Sequence, residues 1–333
     1  MRILFVTLFS LFTYSGVMAQ AKPQVVATAS MLLDMAQNIA GDHLEVKCIV
    51  PIGSDPHLHD PTPRDARLVA NAQMVLKNAL TFEGWLDELI RNSGTEAKII
   101  TVTEGISPIA SDQYKNAKDP HAWMDVSLGL QYIENIKNAF VELAPEHAAS
   151  FEQNYVSYKK QLEELDQFIL DEIKKIPAEK RILITSHDAF QYYGRRYGIK
   201  LEAVIGTSTD AEVRTSDITR LNKVIKENKI PAVFVESTIN PKLLQQLARD
   251  NDIQVGGELY ADSIGDKDSP APSYIDMMRH NTEMIVKALS RDIGEVAHTT
   301  QEKNSGNRWI LLGLVGLLFV GGFVMVFRRM NQV

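Results

Sequence analysis

An apolar stripe at three- and four-residue steps crosses the middle of the chain: Phe151, Tyr155, Tyr158, Leu162, Leu165, Ile169, Ile173 and Ile176. Glu and Lys fill many of the positions between, so the spacing predicts one long helix over 149–177, ended by Pro177. Short strand-like runs flank it on both sides. Gln24 to Ala27, Leu44 to Val50, Met74 to Leu76 and Lys98 to Thr101 come before it, separated by helix-like segments such as Met31 to Ala40 and Ala66 to Ala72. Arg181 to Thr185, Leu201 to Ile205, Ala232 to Val235 and Ile253 to Val255 come after it. Such alternation predicts an α/β fold, with parallel sheets flanked by helices. The expected organisation is an N-terminal lobe over 20–148, the linking helix, and a C-terminal lobe over 178–290.

The two ends read differently from the body. Arg2, the apolar Ile3 to Phe12 and the small-residue ending Val17-Met18-Ala19 predict a signal peptide over 1–19. No cysteine follows that apolar core, so a lipid anchor is not expected. Trp309 to Phe327 is apolar and uncharged, and its four glycines make a poor helix in water. A run of this length predicts a transmembrane helix over 309–327. Arg328 and Arg329 put the 328–333 tail in the cytoplasm. Residues 291–308 then form a juxtamembrane linker, and the body is exported and anchored in the inner membrane.

Net charge of −7 without a basic run argues against a nucleic-acid partner. Cys48 is the only cysteine, so no internal disulfide forms, and it reads as a small buried hydrophobe.

Three histidines and an aspartate follow strand-like runs: His57, His121, His187 and Asp262. Ligands in open α/β sheets sit beyond the carboxyl ends of strands, and two of these residues come from each expected lobe. Imidazoles plus one carboxylate suit a divalent transition metal, and four protein ligands would close a tetrahedral zinc site. A closed site captures its metal without leaving a position for chemistry. A zinc-dependent hydrolase, with Asp262 unliganded and Glu236 as general base, is the competing reading. No His-Glu-x-x-His pair, Gly-x-Ser-x-Gly elbow or phosphate loop supports it. A metal-stabilised adhesin has only the anchor in its favour.

His59, two residues past His57, is an alternative ligand or a neighbour of the site. Asp55 and Asp125 are placed to hold ligand imidazoles from behind or to serve turns and caps. Glu236 either contacts the site or forms an ion pair. His43, His147, His280 and His298 read as surface or packing residues.

Several motifs in order carry a resemblance over roughly Val25 to Leu289. They are Asp55-Pro56-His57 with Pro61-Thr62-Pro63, Asp119-Pro120-His121-Ala122-Trp123-Met124-Asp125, Ser186-His187-Asp188-Ala189-Phe190, Phe234-Val235-Glu236-Ser237 and Tyr274-Ile275-Asp276. The chain resembles the metal-binding solute-binding proteins of zinc and manganese ABC transporters. That resemblance implies two lobes on a rigid helix and a metal held by His57, His121, His187 and Asp262. It also implies delivery to a permease with its ATPase, by a monomer. Manganese-type members tend to carry glutamate where His187 stands, so zinc is the expected cargo, with manganese or iron the alternative. The segment from Gly105 to Lys118 has no histidine, so the metal-gathering loop of many zinc-type members is absent. A C-terminal span is unusual for such proteins; it would hold the carrier beside its permease at raised effective concentration.

Overall fold

Strand β1 (Gln24–Ala27) is buried along Val25, Val26 and Ala27, as a central strand of a parallel sheet covered on both faces should be. The computed structural model describes residues 21–110 and 118–290. Helix α1 (Ser30–Ala40) follows β1, then β2 (Glu45–Cys48), α2 (Pro63–Ala70), β3 (Met74–Lys77), α3 (Leu86–Ser93) and β4 (Lys98–Thr101). These strands form one parallel sheet in the order β2-β1-β3-β4. Cys48 ends β2 only half-buried, its thiol donating to the Val50 carbonyl at 3.1 Å.

Helix α4 (Val126–Leu143) lies where no helix was read from the sequence. Asp125 starts it, accepting from the Ser127 amide as an N-cap. The long helix α5 (Ala148–Ile173) is present, about 39 Å at 1.5 Å per residue. It ends four residues before Pro177, where Lys174 to Ile176 relax into turns.

The second half runs β5 (Ile182–Thr185), α6 (Gln191–Tyr197), β6 (Lys200–Ala203), α7 (Thr215–Asn228), β7 (Ala232–Glu236), α8 (Lys242–Asp250), β8 (Gln254–Leu259) and α9 (Tyr274–Leu289). β5 pairs in parallel with β6, β7 with β8, and β5 lies beside β7. Each half thus places its first strand between its second and third. Helix α5 packs on α1 and α4 from the first half and on α6 and α9 from the second. One apolar core joins these helices, including Phe151, Leu162, Tyr193 and Met277, while Leu221, Val233 and Leu247 belong to a separate cluster under α7 and α8.

β8 is longer than the Ile253 to Val255 run. It passes through Gly256 and Gly257 to Leu259, three residues before Asp262. A methyl group on Gly256 would lie 2.7 Å from the Phe234 ring and 2.8 Å from Ala288, so the close packing of strand and helix requires glycine there. Among the described residues no helix is long and apolar enough to cross a membrane. The expected signal peptide, juxtamembrane linker, span at 309–327, cytoplasmic tail and His298 lie outside the described residues.

Candidate metal centre

Three of the four residues follow strands, and His121 instead opens a helical turn. Past β2, Ile49 and Val50 continue the ladder by donating to Ala27 and Thr28, and the chain then turns at Gly53 to reach His57. His187 comes two residues after β5, and Asp262 three after β8. His121 opens a single 3-10 turn, Ala122–Met124, ahead of α4.

The ligand-capable atoms of His57, His121, His187 and Asp262 all lie within 4.8 Å of one another. His57 Nε2 is 3.3 Å from His121 Nε2 and 3.7 Å from Asp262 Oδ2. His121 Nε2 is 3.3 Å from Asp262 Oδ1, and His187 Nε2 is 3.1 Å from Asp262 Oδ2. Tetrahedral bonds of about 2.0–2.1 Å set ligands about 3.3 Å apart. The 3.1–3.3 Å spacings match this, while the widest, up to 4.8 Å, must shorten for one ion to reach all four residues. His121, His187 and Asp262 are fully buried, and only 4% of the His57 side chain meets solvent. Both Asp262 oxygens are buried and face imidazole nitrogens of the cluster at 3.1–3.7 Å. A buried carboxylate requires positive charge at its face, from a metal ion or from protonated imidazoles.

Protons supply the positive charge when no metal does. Burial pulls the Asp262 pKa upward, but the His187 charge and hydrogen bonds from His121 and His187 outweigh it and hold the carboxyl well below the usual range. Burial likewise opposes charge on His121, yet Asp119 and Asp262 raise it to about 9. His187 is driven well above its ordinary value by Glu236 and Asp262 against the same burial. His57 has no carboxylate behind it, and burial lowers it to about 3 despite Asp262. A metal-free site at neutral pH therefore holds two imidazolium ions, a neutral imidazole and a carboxylate.

Two carboxylates fix the rings from behind. Glu236 Oε1 accepts from the His187 amide at 2.8 Å, and its Oε2 lies 2.6 Å from His187 Nδ1. Asp119, absent from the sequence-derived candidates, accepts from the His121 amide at 2.9 Å and lies 2.7 Å from His121 Nδ1. Both arrangements turn Nε2 toward the cluster. The signal for Asp119 was in the chain: Asp-Pro-His occurs twice, and in each copy the aspartate accepts from the histidine amide.

The other candidates do different work. Asp55 holds the His57 amide at 2.8 Å and the Thr209 hydroxyl at 2.7 Å, and it does not touch the ring. Asp125 caps α4. His59 stands outside the cluster, its Nε2 3.3 Å from Asp65 and its ring edge-on to Trp85 at 4.7 Å. Asp65 belongs to the capping box that starts α2, so His59 is held by helix-end chemistry.

Fold and site define a binding protein that closes donors around a metal ion, with Glu236 bound to a ligand ring instead of being free to act as a general base. Residues 25–288 match the family model described as zinc-uptake complex component A, periplasmic, and the chain belongs to that family of substrate-binding components of metal transport, which are not enzymes. The manganese-binding lipoprotein MntA of Halalkalibacterium halodurans is 34% identical over 268 residues, covering 80% of this chain and 89% of that protein. The iron-binding protein YfeA of Yersinia pestis is 36% identical over 272 residues, covering 81% and 87%. Among solved structures, the periplasmic zinc-binding protein TroA of Treponema pallidum superposes with a TM-score of 0.78 at 33% identity, over 81% of this chain and all of that one.

Proposed function

We propose that the chain captures Zn²⁺ outside the inner membrane through His57, His121, His187 and Asp262, between an N-terminal lobe (20–148) and a C-terminal lobe (178–290), and delivers it to an ABC permease and its ATPase. The observation that carries this reading is the buried Asp262 carboxylate faced by three converging imidazoles. Three nitrogens and one oxygen favour zinc over the harder manganese ion. Manganese or iron is the second reading, favoured by relatives named for those metals at 34% and 36% identity. The 26-residue helix α5 is the rigid link between the lobes. We further propose, from the sequence, that the signal over 1–19 exports the body and that the 309–327 span tethers it as a monomer beside the permease.

Metal analysis of the full chain purified in detergent tests the assignment. One zinc per chain, lost in His187→Ala, is the expected result. Manganese displacing zinc at equal concentration would replace the cargo, and a chain that holds neither metal would overturn the site.

A further inference from the structure

Asp262 comes from the second half of the fold, yet its neighbours on both sides are fastened to the first. On one side the Ala261 carbonyl accepts from the Trp123 indole at 3.0 Å, within the turn that follows His121. On the other, the Ser263 hydroxyl accepts from the Gly53 amide at 2.7 Å, in the loop that leads to His57. Ser263 also donates to the Ile264 carbonyl at 2.8 Å. Its single proton is thereby used, so Ser30 at the start of α1 must donate across their 3.0 Å contact. The Ile264 amide closes the ring by donating to Ser30 at 3.0 Å. Every member is satisfied, and Ser30 and Ser263 are only 2% and 1% exposed. Water cannot replace the Ser30–Ser263 and Ile264–Ser30 bonds without the two halves first parting. The Gly53 bond is part-buried, Gly53 itself lying at the surface.

We propose that Ser263 is a positioning residue for metal retention: its hydroxyl fastens the Asp262 loop to the His57 loop, so these two ligands separate only when the buried network breaks. The inference rests on the ligand set proposed above. Ser263 touches no metal and changes no donor atom. Its contribution falls on the rate at which cargo leaves.

The test uses the full chain in detergent, loaded with Zn²⁺ and mixed with excess chelating indicator. In Ser263→Ala, zinc release is about tenfold faster while uptake changes less than about twofold, as expected for one lost buried hydrogen-bond junction. In the metal-free protein, the Gly53 amide, slow to exchange hydrogen in the wild type, exchanges fast in the variant. Ser30→Ala removes two of the bonds but keeps the Gly53 contact, and it speeds release by a smaller factor of about threefold. Release from Ser263→Ala within about twofold of wild type would overturn the proposal, even with a lowered melting temperature. Should Ser263→Ala not fold, an unchanged release rate in Ser30→Ala overturns it. A wild-type chain that takes up no zinc fails the ligand set itself, a result separate from either variant.

Discussion

His121 depends on a residue behind it as much as on the metal before it. Replacing Asp119 with asparagine keeps the turn but removes the charge at Nδ1, and zinc affinity is expected to fall about 10–100-fold in a competitive chelator titration. The protons already in the site set a pH dependence. Because His121 has its pKa raised to about 9, it is protonated at neutral pH without metal, as is His187, and a metal held by both rings must expel both protons. Affinity therefore rises with pH through the neutral range, and between pH 6 and 8 calorimetry in several buffers is expected to find close to two protons released per zinc. A pH-independent affinity would contradict this charge assignment. His57, His187 and Asp262 were legible because each lies past a strand, whereas His121, expected after a strand-like run, opens a 3-10 turn twenty residues beyond β4. Asp119 was not singled out because Asp-Pro-His is also a turn signature, and only the ring's orientation separates Asp119, which meets its histidine's Nδ1, from Asp55, which does not.

Between β3 and α3, Ala79, Leu80 and Thr81 take φ of 64°, 54° and 74°, three successive non-glycine residues in the left-handed region. Each costs about 1–2 kcal/mol there. Glu83 holds the loop in place, accepting from the Asn78 and Ala79 amides at 2.7 and 2.9 Å and from the Thr28 hydroxyl at 2.6 Å. The loop sets Phe82 edge-on against His57, ring centres 4.8 Å apart. Thr81 is exposed, so Thr81→Gly relieves strain without opening a cavity. The expected gain is about 0.5–1 kcal/mol by chemical denaturation, with zinc affinity unchanged. Nothing in Ala79-Leu80-Thr81 announces such a loop, since none of these residues favours positive φ. β4 was legible to the residue, and the periodicity of α5 fixed its start to within one residue while its end came four residues before Pro177. Helix α4 starts directly behind the His121 turn, and Ile133, Ile136 and Phe140 carry its helical spacing into the core. β8 was cut short because two glycines interrupt its pattern; Gly256 admits Phe234 and Ala288, and Gly257 admits Met284.

At the scale of the molecule, metal draws together groups from both halves, so binding and folding are linked. At zinc a thousandfold above Kd the folded state gains about 4 kcal/mol. Melting is expected to shift upward by roughly 8–16 °C for a body of this size, and His187→Ala should abolish the shift. The four ligands also conserve charge. Without metal, two imidazolium ions and one carboxylate leave a net single positive charge. A divalent ion that expels both protons leaves the same sum beside the same carboxylate. Full and empty carriers therefore present nearly the same electric field to whatever receives them. A receptor that must accept the one and dismiss the other has to read shape, through how far the two halves stand apart.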